Sequence, residues 1–281
     1  MNILIFGTGL IGGSFALALR KIDPSLKFGG WDLSQENREK AQKLGVVDEV
    51  FDTQDAAIDW AECIILTVPV SAILNTIGGL LDNIRKDQFI IDFGSTKKSI
   101  CKAISDHPSR SRFIAAHPIA GTEHSGPEAA FAELYHGKVM IACEHEKSDI
   151  KIVKIFARWC ESLVMSLTFM SAEEHDKHLA YISHLSHVIA FGLSQTVLDK
   201  EKNGEVILEL AGSGFASTVR LAKSSPEMWA PILLDNKVPV LESLDALLDQ
   251  LGTMKQLIQG GDAESLQDYL KEGRKIRKIL D

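Results

Sequence analysis

The chain has 281 residues, 45% of them apolar and 24% charged, and 30 Lys+Arg against 38 Asp+Glu give a formal charge of −8. The length fits roughly two domains, and the composition excludes a disordered, collagenous or disulfide-scaffold chain. The negative balance repels phosphate backbones, so no nucleic acid is expected as a partner.

Met1 and Asn2 lead straight into apolar Ile3 to Phe6, which leaves no room for a signal peptide. A glycine cluster follows, then Ser14 to Arg20 at helical period. Strands are predicted at Leu26 to Trp31, Glu49 to Phe51, Cys63 to Val68, Phe89 to Phe93, Phe113 to Ala116 and Val139 to Cys143, with a helix at Gln35 to Leu44. Cys63 to Leu81 is the longest apolar stretch. Thr67, Pro69, Ser71, Asn75 and Thr76 interrupt it, so it reads as strand, turn and helix, and no membrane span is expected. This alternation predicts a mostly parallel sheet with helices on both faces.

The pattern changes near Ser166. Ala172 to Leu198 is one long helical pattern, followed by expected helices at Glu205 to Ala211, Pro226 to Asp235, Val238 to Gln259 and Ala263 to Ile279. Asn203-Gly204, Gly212-Ser213-Gly214, Asn236 and Gly260-Gly261 punctuate them. The basic run Arg274 to Lys278 reads as a solvated helix end, where cations suit the dipole. The fold class is therefore an α/β, Rossmann-like N-terminal domain over residues 1–165 and an all-α second domain over 166–281. Long apolar helices of this kind need burial, so a homodimer through the helical domain is expected. Cys63, Cys101, Cys143 and Cys160 show neither CxxC nor zinc spacing; they read as buried thiols in a reducing, cytoplasmic setting.

Gly7-Thr8-Gly9-Leu10-Ile11-Gly12 is a G-x-G-x-x-G set between a strand and a helix, the context that gives it meaning. Gly7 serves the tight turn, Gly9 the approach of a pyrophosphate and Gly12 close helix–strand packing. The backbone N–H groups at Leu10 and Ile11 open the helix towards an anion. Asp32 ends the second strand about twenty residues on, where a carboxylate bonds ribose hydroxyls and repels a 2′-phosphate. NAD is expected over NADP, with Arg38 able to soften the preference. Ligands of such sheets sit beyond the carboxyl ends of the strands. Thr67, Val68 and Pro69 lie there, as do the segments Asp92 to Lys97 and His117 to Gly126. His117 is the candidate base, because imidazole titrates near neutrality and can take a hydroxyl proton while a hydride leaves the same carbon. His175, His178, His184 and His187 would spread over roughly 240° of a straight helix, so no metal site is expected; His184 and His187 share a face and can point into one crevice.

With these residues in view, the sequence resembles the prephenate/arogenate dehydrogenase family of tyrosine biosynthesis. The resemblance is carried by GTGLIGGS (Gly7 to Ser14), DFGSTK (Asp92 to Lys97), HPIAGTEHSG (His117 to Gly126), SHLSH (Ser183 to His187) and GFASTVRL (Gly214 to Leu221), with Trp229 downstream. It implies NAD(P)-dependent oxidation of a 4-hydroxycyclohexadienyl ring with loss of CO2, from prephenate or arogenate. It further implies His117 as base with Ser95 hydrogen-bonding nearby. Arg220 would pair with the side-chain carboxylate, and His187, Glu123 and Thr122 would line the substrate pocket. Glu123 is open to three readings: a partner of Arg220, a partner of the arogenate amine, or a helix-start carboxylate. Trp229 reads as core packing before substrate wall. Two departures stand out: Ser186 where the family often has Pro, and Ala216-Ser217 where it often has Arg-Asp. No ACT-type pattern follows the helices, and a fused chorismate mutase is not expected. Two alternatives are a β-hydroxy acid dehydrogenase, which would call for a catalytic Lys absent from the SHLSH face, and a non-catalytic NAD sensor.

Overall fold

The computed structural model describes residues 1–202 and 207–280. Its strands are β1 (Asn2–Phe6), β2 (Lys27–Trp31), β3 (Glu49–Val50), β4 (Cys63–Leu66), β5 (Phe89–Asp92), β6 (Phe113–Ile119), β7 (Val139–Cys143) and β8 (Ser166–Met170). They form one sheet in the order β3-β2-β1-β4-β5-β6-β7-β8. Every neighbouring pair is parallel except β6 with β7.

Helices α1 (Leu10–Ile22), α2 (Gln35–Lys43), α3 (Gln54–Trp60), α4 (Val70–Asn83), α5 (Lys98–Ala103) and α6 (Ile150–Ser162) accompany the sheet. Two apolar cores result. Ile3 and Ile5 pack with Phe15, Leu19 and Phe156 in one, while Leu4 and Phe6 pack with Ile73, Ile77 and Leu80 in the other. Successive β1 side chains thus alternate between the cores, as a period of two requires. A strand buried on both faces needs an unbroken apolar run, which Ile3 to Phe6 supplies. The strand order reverses between β1 and β4, and that switch point opens a crevice beyond their carboxyl ends.

The sheet runs on past residue 165. Ser166–Met170, expected in the helical half, pairs in parallel with β7 as β8. The helical part follows with α7 (Ala172–Leu179), α8 (Leu185–Lys202), α9 (Ser213–Thr218), α10 (Pro226–Asp235), α11 (Lys237–Gly260) and α12 (Ala263–Gly273). The single helix expected over Ala172 to Leu198 is instead interrupted by a π turn at Ala180–His184. The Asn203-Gly204 punctuation and the first two residues of the helix expected at Glu205 to Ala211 lie outside the described residues; only a short 3-10 turn, Leu208–Leu210, occupies the rest. Beyond α12, a 3-10 turn at Arg274–Ile276 and a last turn at Arg277–Leu280 replace the continuous helix expected to Ile279. All four cysteines are buried free thiols. Among the described residues, no helix is long and apolar enough to cross a membrane.

Candidate active site

The glycine turn is built by close packing. Gly7 has φ +103°, and a Cβ there would come within 2.8 Å of the Thr67 carbonyl and of Val68. A Cβ on Gly12 would lie 2.4 Å from Thr67 Oγ1 and 2.6 Å from the Gly7 carbonyl. Thr67 ties the two strand ends together by donating its hydroxyl to the Gly7 carbonyl at 2.6 Å. Gly9 differs: a Cβ there meets nothing within 4 Å, because Gly9, Leu10 and Ile11 open onto a cleft of about 590 Å3. Gly9 also caps α1 without any side-chain bond to its first N–H groups, which fits an anion at that helix start. Asp32 stands at the end of β2, where its Oδ2 accepts the Thr8 N–H at 3.0 Å. Arg38 donates to the Asp32 backbone carbonyl.

The cleft gathers most of the residues singled out from the sequence. Thr67 and Val68 pack against the glycine turn and line the cleft, as do Pro69, Ser95 and His117. Thr122, Glu123, His187 and Arg220 line the rest. Gly7, Gly12 and Asp32 are not in its lining; the two glycines shape the turn from behind. Arg220 reaches Glu123 Oε2 at 3.4 Å, the first of the three readings of that carboxylate. Trp229 is both core and wall: it is 7% exposed, lines the cleft, and stacks on His187 with ring centroids 3.4 Å apart.

His117 is carried into the cleft by the end of β6. Its Nδ1 lies 2.8 Å from His175 Nε2, and His175 Nδ1 lies 2.8 Å from Asp176 Oδ1. Both partners come from α7, whose start is locked by a capping box between Ser171 and Glu174. Asp176 also receives the backbone N–H groups of Lys97 at 2.8 Å and Lys98 at 2.9 Å. It thereby caps α5 from another element and fixes the loop that carries Ser95. Asn236, at the start of α11, donates to the Asp176 carbonyl at 2.7 Å and contacts His184 Nδ1 at 3.1 Å. His175, Asp176, Asn236 and the fully buried Lys97 were not singled out from the sequence as site residues.

Burial sets the protonation of this cluster. It pushes His117 well below the usual imidazole range, reinforced by His175, the Lys97 ammonium and His184. Burial also lowers His175 against the pull of Asp176, lowers His187, and brings His184 down to about 4. For Asp176, burial alone would raise the carboxyl. The His175 bond and the two backbone N–H groups outweigh it and hold the group below its ordinary value. The imidazoles are therefore neutral at physiological pH, and the carboxylate is ionised. A neutral His117 can accept a proton, and a guanidinium across the cleft can hold a carboxylate.

Residues 15–166 match the family model described as prephenate dehydrogenase, nucleotide-binding domain, and residues 171–272 match that of prephenate dehydrogenase, dimerization domain. The chain is 34% identical to a prephenate dehydrogenase of Bacillus subtilis over 99% of its own length and 76% of the relative's. It is 33% identical to a cyclohexadienyl dehydrogenase of Zymomonas mobilis, over 99% and 96% of the two chains. A crystal structure of prephenate dehydrogenase from A. aeolicus, in complex with hydroxyphenyl propionate and NAD+, superposes with a TM-score of 0.90 at 33% identity, covering 100% of this chain and 98% of the other.

Proposed function

The chain belongs to the prephenate dehydrogenase family, and from that premise we propose that it oxidatively decarboxylates prephenate to 4-hydroxyphenylpyruvate, arogenate to tyrosine, or both, with NAD+. The observation that carries the reading is the common cleft: Gly9 of the glycine turn, His117, Ser95 and Arg220 all line it.

In this reading the open space over Gly9 and the uncapped start of α1 hold the dinucleotide, and Asp32 favours NAD over NADP by its position at the ribose. Bound NAD+ supplies the hydride acceptor. His117 takes the proton of the ring hydroxyl as the hydride leaves the same carbon, and Ser95 bonds that oxygen. Loss of the ring carboxylate as CO2 then returns an electron pair to the ring oxygen, which recovers the proton from His117. The imidazole ends neutral, so substrate and NAD+ give product, CO2 and NADH with no net proton released. Arg220 holds the side-chain carboxylate, and Thr122, Glu123 and His187 set the pocket around it. Orientation and charge placement are the protein's main contribution.

The reading includes a homodimer through the helical part. Leu241, Leu248, Leu251 and Ile258 of α11 are each 46–60% exposed and recur at spacings that make one stripe. The buried thiols fit a reducing cytoplasm. The test is to supply purified protein with prephenate or arogenate, each with NAD+ or NADP+, and follow reduced cofactor. Turnover with NAD+ on at least one substrate is expected. No reduced cofactor in any of the four combinations rejects the reading.

A further inference from the structure

His117 does not meet the cleft as an isolated imidazole, because His175 and Asp176 stand in line behind it. We propose that these three residues form a proton relay, in which Asp176 fixes the tautomers of both rings and His175 draws charge away from the cleft. The inference rests on the dehydrogenase reading above for its catalytic meaning.

The hydrogen-bond inventory allows one order only. Both oxygens of Asp176 accept backbone N–H groups, from Lys97 and Lys98. The group is therefore an ionised acceptor, and the His175 nitrogen 2.8 Å from Oδ1 must be the donor. A neutral His175 with its proton on Nδ1 presents a lone pair at Nε2. His117 Nδ1, 2.8 Å away, then donates to it. That leaves the lone pair of His117 on Nε2, the nitrogen a base needs towards the cleft. The reverse order would set a nitrogen lone pair against a carboxylate oxygen in a site where His175 is 0% and Asp176 2% exposed.

The relay also answers an electrostatic difficulty. A proton on His117 faces the Lys97 ammonium. His175 also faces Lys97 and His178, but unlike His117 it touches the Asp176 carboxylate. The substrate proton binds His117 Nε2 while the Nδ1 proton of His117 passes to His175 Nε2. The imidazolium then lies on His175 against Asp176. When CO2 has left, both protons move back and the ring oxygen is protonated. His175 and Asp176 touch neither substrate nor cofactor and are positioning residues.

Nitrogen-15 NMR of the histidine rings in the native protein tests the order directly. Both His117 and His175 are expected to carry their proton on Nδ1; a neutral His117 protonated on Nε2 overturns the proposal. Two variants test its use. Asp176→Asn offers His175 an N–H, reverses both tautomers and turns a donor towards the substrate, so kcat is expected to fall by about 10²- to 10⁴-fold. His175→Gln still accepts the His117 N–H but carries no proton. Its kcat is expected to fall at least about tenfold, while the KM for substrate and the affinity for NAD+ move less than about twofold. A folded His175→Gln enzyme with kcat within about twofold of the native one overturns the relay, because orientation alone would then suffice. Should a variant fail to fold, the NMR result on the native protein decides. It does so without turnover, so a protein inactive on both substrates would reject the functional reading and leave the tautomer order separately measured.

Discussion

The Lys97 ammonium and the Asp92 carboxylate bond to each other with neither side chain reached by solvent. Asp92 Oδ1 takes a second bond from the Gly94 N–H at 2.8 Å, while Oδ2 is buried with no partner among the described residues. Burial raises the Asp92 carboxyl despite Lys97, so the pair is held in place by its mutual contact and not by solvation. Truncating one partner strands the other charge.

Lys97→Met is therefore expected to cost about 3–5 kcal/mol. The double variant Asp92→Asn/Lys97→Met is expected to regain much of that loss, because it removes both charges. Urea unfolding of the three proteins measures it. A double variant as unstable as the single one would show that packing, not charge, makes the pair costly to break.

The glycine turn separates two functions that one motif usually hides. Gly12→Ala drives a methyl into Thr67 Oγ1 and backbone, so it is expected to destabilise the fold by about 1–3 kcal/mol as well as weaken NAD binding. Gly9→Ala meets no atom of the described residues within 4 Å. It is expected to fold like the native chain and lose NAD affinity at least about tenfold, because the methyl occupies the pyrophosphate's approach. Thermal melts with NAD+ titrations on both variants distinguish the two effects; normal NAD affinity in Gly9→Ala would move the cofactor elsewhere.

The strands of the sheet centre were legible because burial on both faces demands continuous apolar runs, and Ile3 to Phe6 and Cys63 to Leu66 are such runs. β8 was not, because it lies at the sheet edge: Ser166, Thr168 and Phe169 are exposed, so neither a continuous run nor a clean alternation marks it. His175 was weighed only as one of four helix histidines for a metal site, and Asp176 lies within the polar stretch Glu173 to His178. A signal was nonetheless present. Ala172, His175, Asp176 and Leu179 stand at i, i+3, i+4 and i+7 and form the buried face of α7. Two polar residues on the apolar stripe of a capped helix point to a satisfied buried network. The partner of that network, His117, depends on how α7 sits against the sheet, which no local pattern records. The π turn at Ala180–His184 also shifts the helical phase between His175 and His178 before it and His187 after it, so the spread measured on a straight helix did not apply to all four rings, whereas His184 and His187 both line the cleft as expected.

His117→Asn and Arg220→Ala are expected to fail differently. Asn is close in size and polar but accepts no proton, so kcat is expected to drop about 10²- to 10⁴-fold with little change in NAD affinity. Arg220→Ala removes a fork across the cleft that is half-exposed and only loosely held by Glu123 at 3.4 Å. The KM for substrate is then expected to rise far more than that for NAD+. Steady-state kinetics varying each substrate in turn separates the two. Equal rises in both KM values would remove Arg220 from the substrate end of the cleft.

The histidine cluster also predicts how stability depends on pH. Burial lowers His117, His175, His184 and His187 in the folded protein, whereas the unfolded chain titrates them near 6.5. Below that value the unfolded state binds more protons than the native one, so stability falls as pH falls. Their contribution is complete above about 6.5 and is lost progressively towards each folded pKa; the lowered Asp176 acts in the same direction, lower on the scale. His184 is 1% exposed, and its Nδ1 faces the Asn236 amide, which must give up that contact when the ring is protonated. From 6.5 to about 4, at about 1.4 kcal/mol per pH unit, His184 alone accounts for about 3 kcal/mol. Urea midpoints measured between pH 7.5 and about 4.5 are expected to fall steeply on the acid side. The fall should be shallower by about 1.4 kcal/mol per pH unit in His184→Gln, which keeps a polar partner for Asn236 but has no proton to gain. A native protein whose midpoint is flat across this window would mean that these rings take up protons in the folded state as readily as in the unfolded chain, and the buried neutral cluster would be refuted.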